Sequence, residues 1–180
     1  MMTKHNNRWI GLGLIFIFLI VGSASALVDI PKKAEVRADQ DVVDAIVDTF
    51  DQAEEALEAE NLSVIMSVYS DRYQNRGLRK EETSRIWQDI FNRYDRLSSR
   101  HIFSRIIVDP NGQTAKVTCT GGLFGVSIFK GGARPESVQI DSWFEAIHYL
   151  TLEEGEWRMI GHDPSEKERD LFGSAIHLLF

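Results

Sequence analysis

A lone cysteine, Cys119, cannot close an internal disulfide, so this 180-residue chain must be held by an ordinary hydrophobic core. It lies in AKVTCTG, a strand-like run, where a thiol serves as a small apolar residue rather than as a nucleophile. Other absences narrow the chemistry. The sequence has no Gly-rich phosphate loop, no nucleophile elbow and no zinc-ligand cluster. His101, His162 and His177 are scattered without His-x-His or His-x-x-x-His spacing, so no metal site and no cofactor is expected. Positive charge is short, with 20 Lys and Arg against 27 Asp and Glu and a formal net charge of −7. The one dense basic stretch, RYQNRGLRK (72–80), runs straight into Glu81 and Glu82 and reads as a solvated turn and helix start. Phosphate binding draws its affinity from clustered Lys and Arg, so nucleic acid and anionic lipid are excluded as partners. Internal repeats and low-complexity tracts are also missing.

What is present first is an address. Lys4 and Arg8 form a positive region, WIGLGLIFIFLIV (9–21) an apolar one, and Ala24-Ser25-Ala26 a small-x-small cleavage signal. The expectation is a signal peptide over 1–26 and an exported chain, periplasmic or secreted, that starts near Leu27. No cysteine follows the apolar run, so a lipoprotein anchor is not supported. The alternative is an uncleaved membrane anchor over 9–28, because no charge occurs from Trp9 until Asp29 and about 20 apolar residues span a bilayer. Cleavage removes Lys4 and Arg8 and no acid, which takes the formal charge from −7 to −9.

The remainder is one domain of ordinary globular composition, 43% hydrophobic and 26% charged. Residues 27–40 mix Pro, charges and isolated apolars and read as a linker or arm. From Asp41, Val43, Ile46, Val47, Phe50, Ala53 and Leu57 fall at steps of three and four, the stripe of an amphipathic helix with an acidic opposite face that ends near Glu60. Asn61 can cap a second helix carrying Leu62, Ile65, Met66 and Tyr69 on one face. After a break at Gly77, a third helix is predicted over 80–97, with Ile86, Ile90, Phe91, Tyr94 and Leu97 inward and Trp87 beside them. The period then changes to two. Strands are predicted over 101–109, 114–129, 137–153 and 156–163, joined by DPNGQ, the looser KGGARPE, and EEGE. Short hairpins make the sheet antiparallel, and three preceding helices make the fold α+β with helices on one sheet face. The tail 164–180 can form a helix with Leu171, Phe172, Ala175, Ile176 and Leu179 on one side.

Helix, short capped helix, third helix and then long strands closing on EEGEWRMI resemble the nuclear transport factor 2-like superfamily, which includes ketosteroid isomerase-like and polyketide cyclase-like (SnoaL-like) domains. The resemblance covers residues 41–163. Its most specific pieces are AENLSVIMSVYSDRY, similar to the family's capped second helix ending in Ser-Asp-x-Tyr, and LTLEEGEWRMI, similar to its terminal acidic-Gly-x-Trp hairpin. It implies a cone: three helices closing one end of a strongly curved antiparallel sheet over an apolar pocket, and a homodimer paired through the outer sheet surface. Fold alone carries no function here. QIDSWF resembles the isomerase segment that supplies a protonated acid to an oxyanion hole, with Asp141 at the matching position. The family's tyrosine donor, however, counts to about Ala53 and its aspartate base to about Gly77. Asp141 is thus left without a base or a second donor, and steroid-type isomerisation is not expected.

The stretch IDSWFEAIHYL (140–150) poses the central question. A strand sends alternate side chains to opposite faces. One face carries Asp141, Trp143, Glu145, Ile147 and Tyr149; the other, more apolar, carries Ile140, Ser142, Phe144, Ala146, His148 and Leu150. Periodicity makes the second face core, and the resemblance makes the first line the pocket. A β-bulge would reconcile them. One reading of Asp141 and Glu145 is a solvent-facing stripe paired with Arg105, Lys116 or Arg158. The other makes Tyr69, Tyr73, Trp87, Phe91, Asp141, Trp143 and Glu145 the lining of a ligand pocket, with no residue assigned to catalysis. The expected function is an exported domain that binds a small apolar or amphipathic molecule. The alternatives are an isomerase, cyclase or dehydratase using Asp141 and Glu145 with a pocket tyrosine, and an interaction module whose cone mouth is filled by a partner or by its own tail.

Overall fold

The computed structural model describes residues 28–128 and 137–163. The expected leader (1–26) and helical tail (164–180) lie outside the described residues. The elements run β1 (Val28–Asp29), β2 (Glu35–Arg37), α1 (Gln40–Glu58), α2 (Leu62–Ser67), β3 (Gln74–Asn75), β4 (Leu78–Arg79), α3 (Lys80–Phe91), β5 (Tyr94–Val108), β6 (Thr114–Ser127), β7 (Ser137–Glu153) and β8 (Glu156–Met159). Among the described residues no helix is long and apolar enough to cross a membrane.

α1 forms where the apolar stripe recurs at helical spacing. Val43, Ile46, Phe50, Ala53 and Leu57 are buried, while Val47 is half-buried. The helix packs against β5 and β8, and the Thr49 hydroxyl ties it to β8 by donating to the Trp157 carbonyl at 3.0 Å. Asn61 caps α2, its side-chain oxygen accepting from the Val64 N–H at 3.2 Å. Asn61→Ala removes that acceptor and is expected to lower stability by about 1 kcal/mol, read as a shift of the urea midpoint.

α3 is shorter than predicted: it ends at Phe91, and Tyr94 and Leu97 belong to β5. The error has a geometric cause. The β5–β6 register slips between Asp95 and Ser98, and Arg96 takes φ 50. The slip puts Tyr94 and Leu97 on one side, both crowding Gly125, so a bulged strand reproduces the i, i+3 spacing of a helix.

The main sheet runs β1-β5-β6-β7-β8, with β2 also on β5. The pairs from β5 to β8 are antiparallel, as expected. β1 and β2, however, both pair parallel to β5, so the sheet is mixed rather than wholly antiparallel. The stretch read as a linker or arm supplies these two strands, because the outer edge of β5 otherwise leaves backbone donors and acceptors without partners. The β7–β8 turn has Glu154 at φ 55 and Gly155 at φ 87, the two consecutive positive values of a tight hairpin. β8 itself stops at Met159, short of the predicted 163.

β7 resolves the question posed by residues 140–150. Cys119 pairs with Ala146 and Gly121 with Trp143, so Phe144 and Glu145 together stand opposite Thr120. Glu145 takes φ 50. This bulge inverts the alternation. Trp143 points inward on one side of it and His148 and Leu150 on the other, all at most 5% exposed, while Phe144 is thrown outward at 84%. Each face of the strand therefore turns inward over one half, Trp143 before the bulge and His148 and Leu150 after it.

Candidate functional site

The residues predicted to line a pocket fall into two clusters and an outlier. Tyr69, Tyr73 and Trp87 are buried together. The Trp87 indole N–H donates to the Tyr69 hydroxyl at 2.9 Å, the two tyrosine rings meet edge-on at 4.9 Å, and half-buried Phe91 lies 6.1 Å from the Trp87 ring. Burial pushes the Tyr73 hydroxyl above its ordinary pKa, partly offset by hydrogen bonds with Asn75 and Thr83. Trp143 is in the second cluster, and Asp141, two residues earlier with no register slip between them, shares its face. Asp141 is half-buried, its carboxylate accepting from the Ser142 N–H at 2.8 Å. Glu145 belongs to neither cluster: it is exposed at the bulge, its carboxylate accepting from the Ser104 hydroxyl at 3.3 Å and its N–H donating to the Thr120 hydroxyl at 3.1 Å.

The second cluster contains groups that the sequence reading passed over. Glu54 on α1 is 1% exposed and faces β5 rather than water. Its two oxygens accept from the Ser99 N–H at 2.7 and 2.9 Å, and the Ser99 hydroxyl donates to one of them. Ser99 Oγ lies 3.1 Å from His101 Nε2, and His101 Nδ1 lies 3.6 Å from Cys119 Sγ. The Trp143 indole N–H completes the line by donating to Cys119 Sγ at 3.2 Å. Aromatic rings wall it in: Phe50 meets His101 at 5.1 Å and His148 at 5.7 Å, and His101 meets Trp143 at 5.2 Å.

The direction of this array follows the Glu54 proton. With Glu54 ionised and the Ser99 proton directed at it, Ser99 Oγ accepts from His101, which places the imidazole proton on Nε2; a protonated Glu54 would donate to Ser99 Oγ and reverse that link. With the proton on Nε2, Nδ1 is an acceptor, and the Cys119 S–H is shared between it and the Thr120 carbonyl, also at 3.6 Å. Burial pushes the Cys119 thiol up to about 11, which outweighs its hydrogen bonds from Trp143 and Ile102 and keeps it protonated at neutral pH. It is no nucleophile. Burial likewise raises the Glu54 pKa, opposed by the two Ser99 hydrogen bonds and assisted by Glu58 and Asp51 nearby. A carboxyl, a hydroxyl and an imidazole in hydrogen-bonded series can hold a proton and pass it along, or present one polar end to a bound molecule.

One signal for Glu54 was legible. The family's tyrosine donor counts to about Ala53, one residue away, but Glu54 reads as part of the acidic face. Ser99, His101 and Phe103 alternate with period two, yet nothing in the sequence shows that Glu54 meets Ser99 across 45 positions.

A separate surface cleft of about 450 Å³ is lined by Asp71, Arg72, Glu153, Glu154 and Arg158. It is polar, and Glu153 is held there by Arg72 at 2.7 Å and by the Ser70 hydroxyl at 2.9 Å. Among the described residues no group of three or more His, Cys, Asp or Glu side chains is arranged to hold a metal ion.

No protein-family model matches the sequence, and no curated protein matches it. Solved structures do. A candidate aromatic ring hydroxylase from Novosphingobium aromaticivorans superposes with a TM-score of 0.56 at 12% identity, over 69% of this chain and 87% of that one. A candidate dehydratase of the NTF2-like family from Streptomyces avermitilis gives 0.49 at 14% identity, over 68% and 94%. A ketosteroid isomerase-like protein from Erwinia carotovora atroseptica gives 0.48 at 13% identity, over 68% and 93%. With its three helices and mixed sheet in this order, the chain shares the α+β fold of the first of these structures.

Proposed function

We propose that the chain is an exported domain that binds a small amphipathic molecule between its helices and a curved sheet, with the apolar part against Trp143 and the polar end toward His101. The observation that carries this reading is the line Glu54–Ser99–His101–Cys119–Trp143 through an apolar interior. Burying a carboxyl group costs free energy that a hydrocarbon side chain would not, so a core built for stability alone has no use for it. Perturbed, buried titratable groups are enriched at functional sites, and here the group also sits in a hydrogen-bonded series with an imidazole. The Cys119 thiol, neutral and soft, suits contact with an uncharged ligand.

The test is native mass spectrometry of the purified full chain, joined to titration with the neutral amphipathic dye N-phenyl-1-naphthylamine. The expected result is one saturable site per chain, weakened at least tenfold by Trp143→Ala, and a mass showing loss of 1–26. Absence of saturable binding, together with no retained small molecule, would remove the reading.

A second reading is favoured by one feature of the same line, the coupling of an imidazole to a carboxyl group through Ser99. That pair has the parts for proton transfer in an isomerase, cyclase or dehydratase. In this reading Glu54 and His101 take the roles first assigned to Asp141 and Glu145. The readings separate on Glu54→Gln, which leaves dye binding within about twofold in the first and abolishes turnover of an enolisable ketone in the second.

A further inference from the structure

The bulge in β7 has an outward side. Phe144 is 84% exposed there and Ile147 49%. Register places Ile147 across from Thr118 and Tyr149 across from Lys116, while Val117, Cys119, His148 and Leu150 alternate into the core. Phe144, Ile147, Tyr149 and Lys116 thus share the face turned away from α1.

The described chain also ends on this face. Asp163 is paired with Lys116, whose ammonium lies 5.6 Å over the Tyr149 ring. Beyond Asp163 come residues 164–180, in which Leu171, Phe172, Ala175, Ile176 and Leu179 recur at the spacing of one helical side. The geometry points to this tail as the cover of the outer face: residues 164–180 lie across β7 of their own protomer, with their apolar side on Phe144 and Ile147.

Reach permits it. From Tyr149 to Phe144 is about 17 Å at the rise of a strand, and the polar stretch 164–170 can extend over about 23 Å. Tethering favours the tail over any free partner, because a segment anchored beside its target acts at an effective concentration in the millimolar range. A second copy of the chain, the expected occupant of an outer sheet surface, has no such advantage.

The test uses the full chain with Phe144 replaced by the photoreactive p-benzoylphenylalanine. After irradiation, proteolysis and mass spectrometry are expected to show cross-links from position 144 to residues 171–180 within a single chain, in material that remains monomeric in mass. Cross-links joining two copies would overturn the proposal in favour of a dimer face, and so would the lack of any cross-link to the tail. In the same background Phe172→Asp with Ile176→Asp is expected to cut the tail cross-link yield at least fivefold. An unchanged yield also overturns it.

Discussion

Gly121→Ala is expected to lower the unfolding free energy by about 3 kcal/mol or more, which is at the upper end of what overpacking does. A methyl group there would meet the Arg100 carbonyl oxygen at 2.0 Å and the Trp143 indole at 2.6 and 2.7 Å. Neither neighbour can retreat cheaply. Arg100 is locked in the β5–β6 ladder, and Trp143 is buried with its N–H on Cys119. Gly112→Ala is the control: its φ of 68 makes alanine strained, but nothing stands within 4 Å of the new methyl group, so a cost of about 1 kcal/mol is expected. Denaturant titration of both variants decides the matter, and equal midpoints would mean that the indole does not lie on Gly121.

Glu54 offers the second large effect. Glu54→Ala strips the Ser99 N–H and hydroxyl of their acceptor inside the core and should cost about 2–4 kcal/mol. Glu54→Gln keeps the volume and removes the titration. Burial raises the pKa of Glu54 above its usual 4.5, so the folded state holds the proton more tightly than the unfolded state does. The stabilisation from that proton is complete below about 4.5 and is lost as pH climbs through the higher folded value. Wild type should therefore lose stability relative to Glu54→Gln as pH rises across this window. Asp51, whose pKa burial also raises, is present in both proteins and interacts with Glu54, so the comparison reads the Glu54 titration together with its effect on Asp51. A stability difference that stays flat from pH 4 to 8 would show that the carboxyl titrates as if exposed.

Much of the fold was legible because local signals agreed with one another. β7 spans 137–153 as predicted, bounded by explicit turn residues, and the α1 stripe is buried nearly as read. Where a bulge intervenes, periodicity misleads. The slip near Arg96 turned the start of β5 into an apparent helix, and the slip at Glu145 hid which side of β7 faces inward. The predicted site fared according to range. Trp143 and Asp141 share a face, whereas Glu145 is carried away by the bulge. Tyr69, Tyr73, Trp87 and Phe91 do gather, but Tyr69 and Trp87 spend their polar atoms on each other. The polar array was beyond reach because its links are tertiary: Glu54 to Ser99 and Cys119 to Trp143 join separate elements. No propensity or spacing rule encodes such meetings.

The two slips in β7 also bear on solubility. β8 covers only residues 150–153 of that strand, and no described strand lies beside 137–149 on the same side. A straight rim of that length would invite another chain to add on and seed fibrils. The irregularities at Ile140 and at Phe144–Glu145 break its hydrogen-bonding repeat into pieces too short to template a newcomer. The distortion that shapes the interior thereby also guards the border against polymerisation.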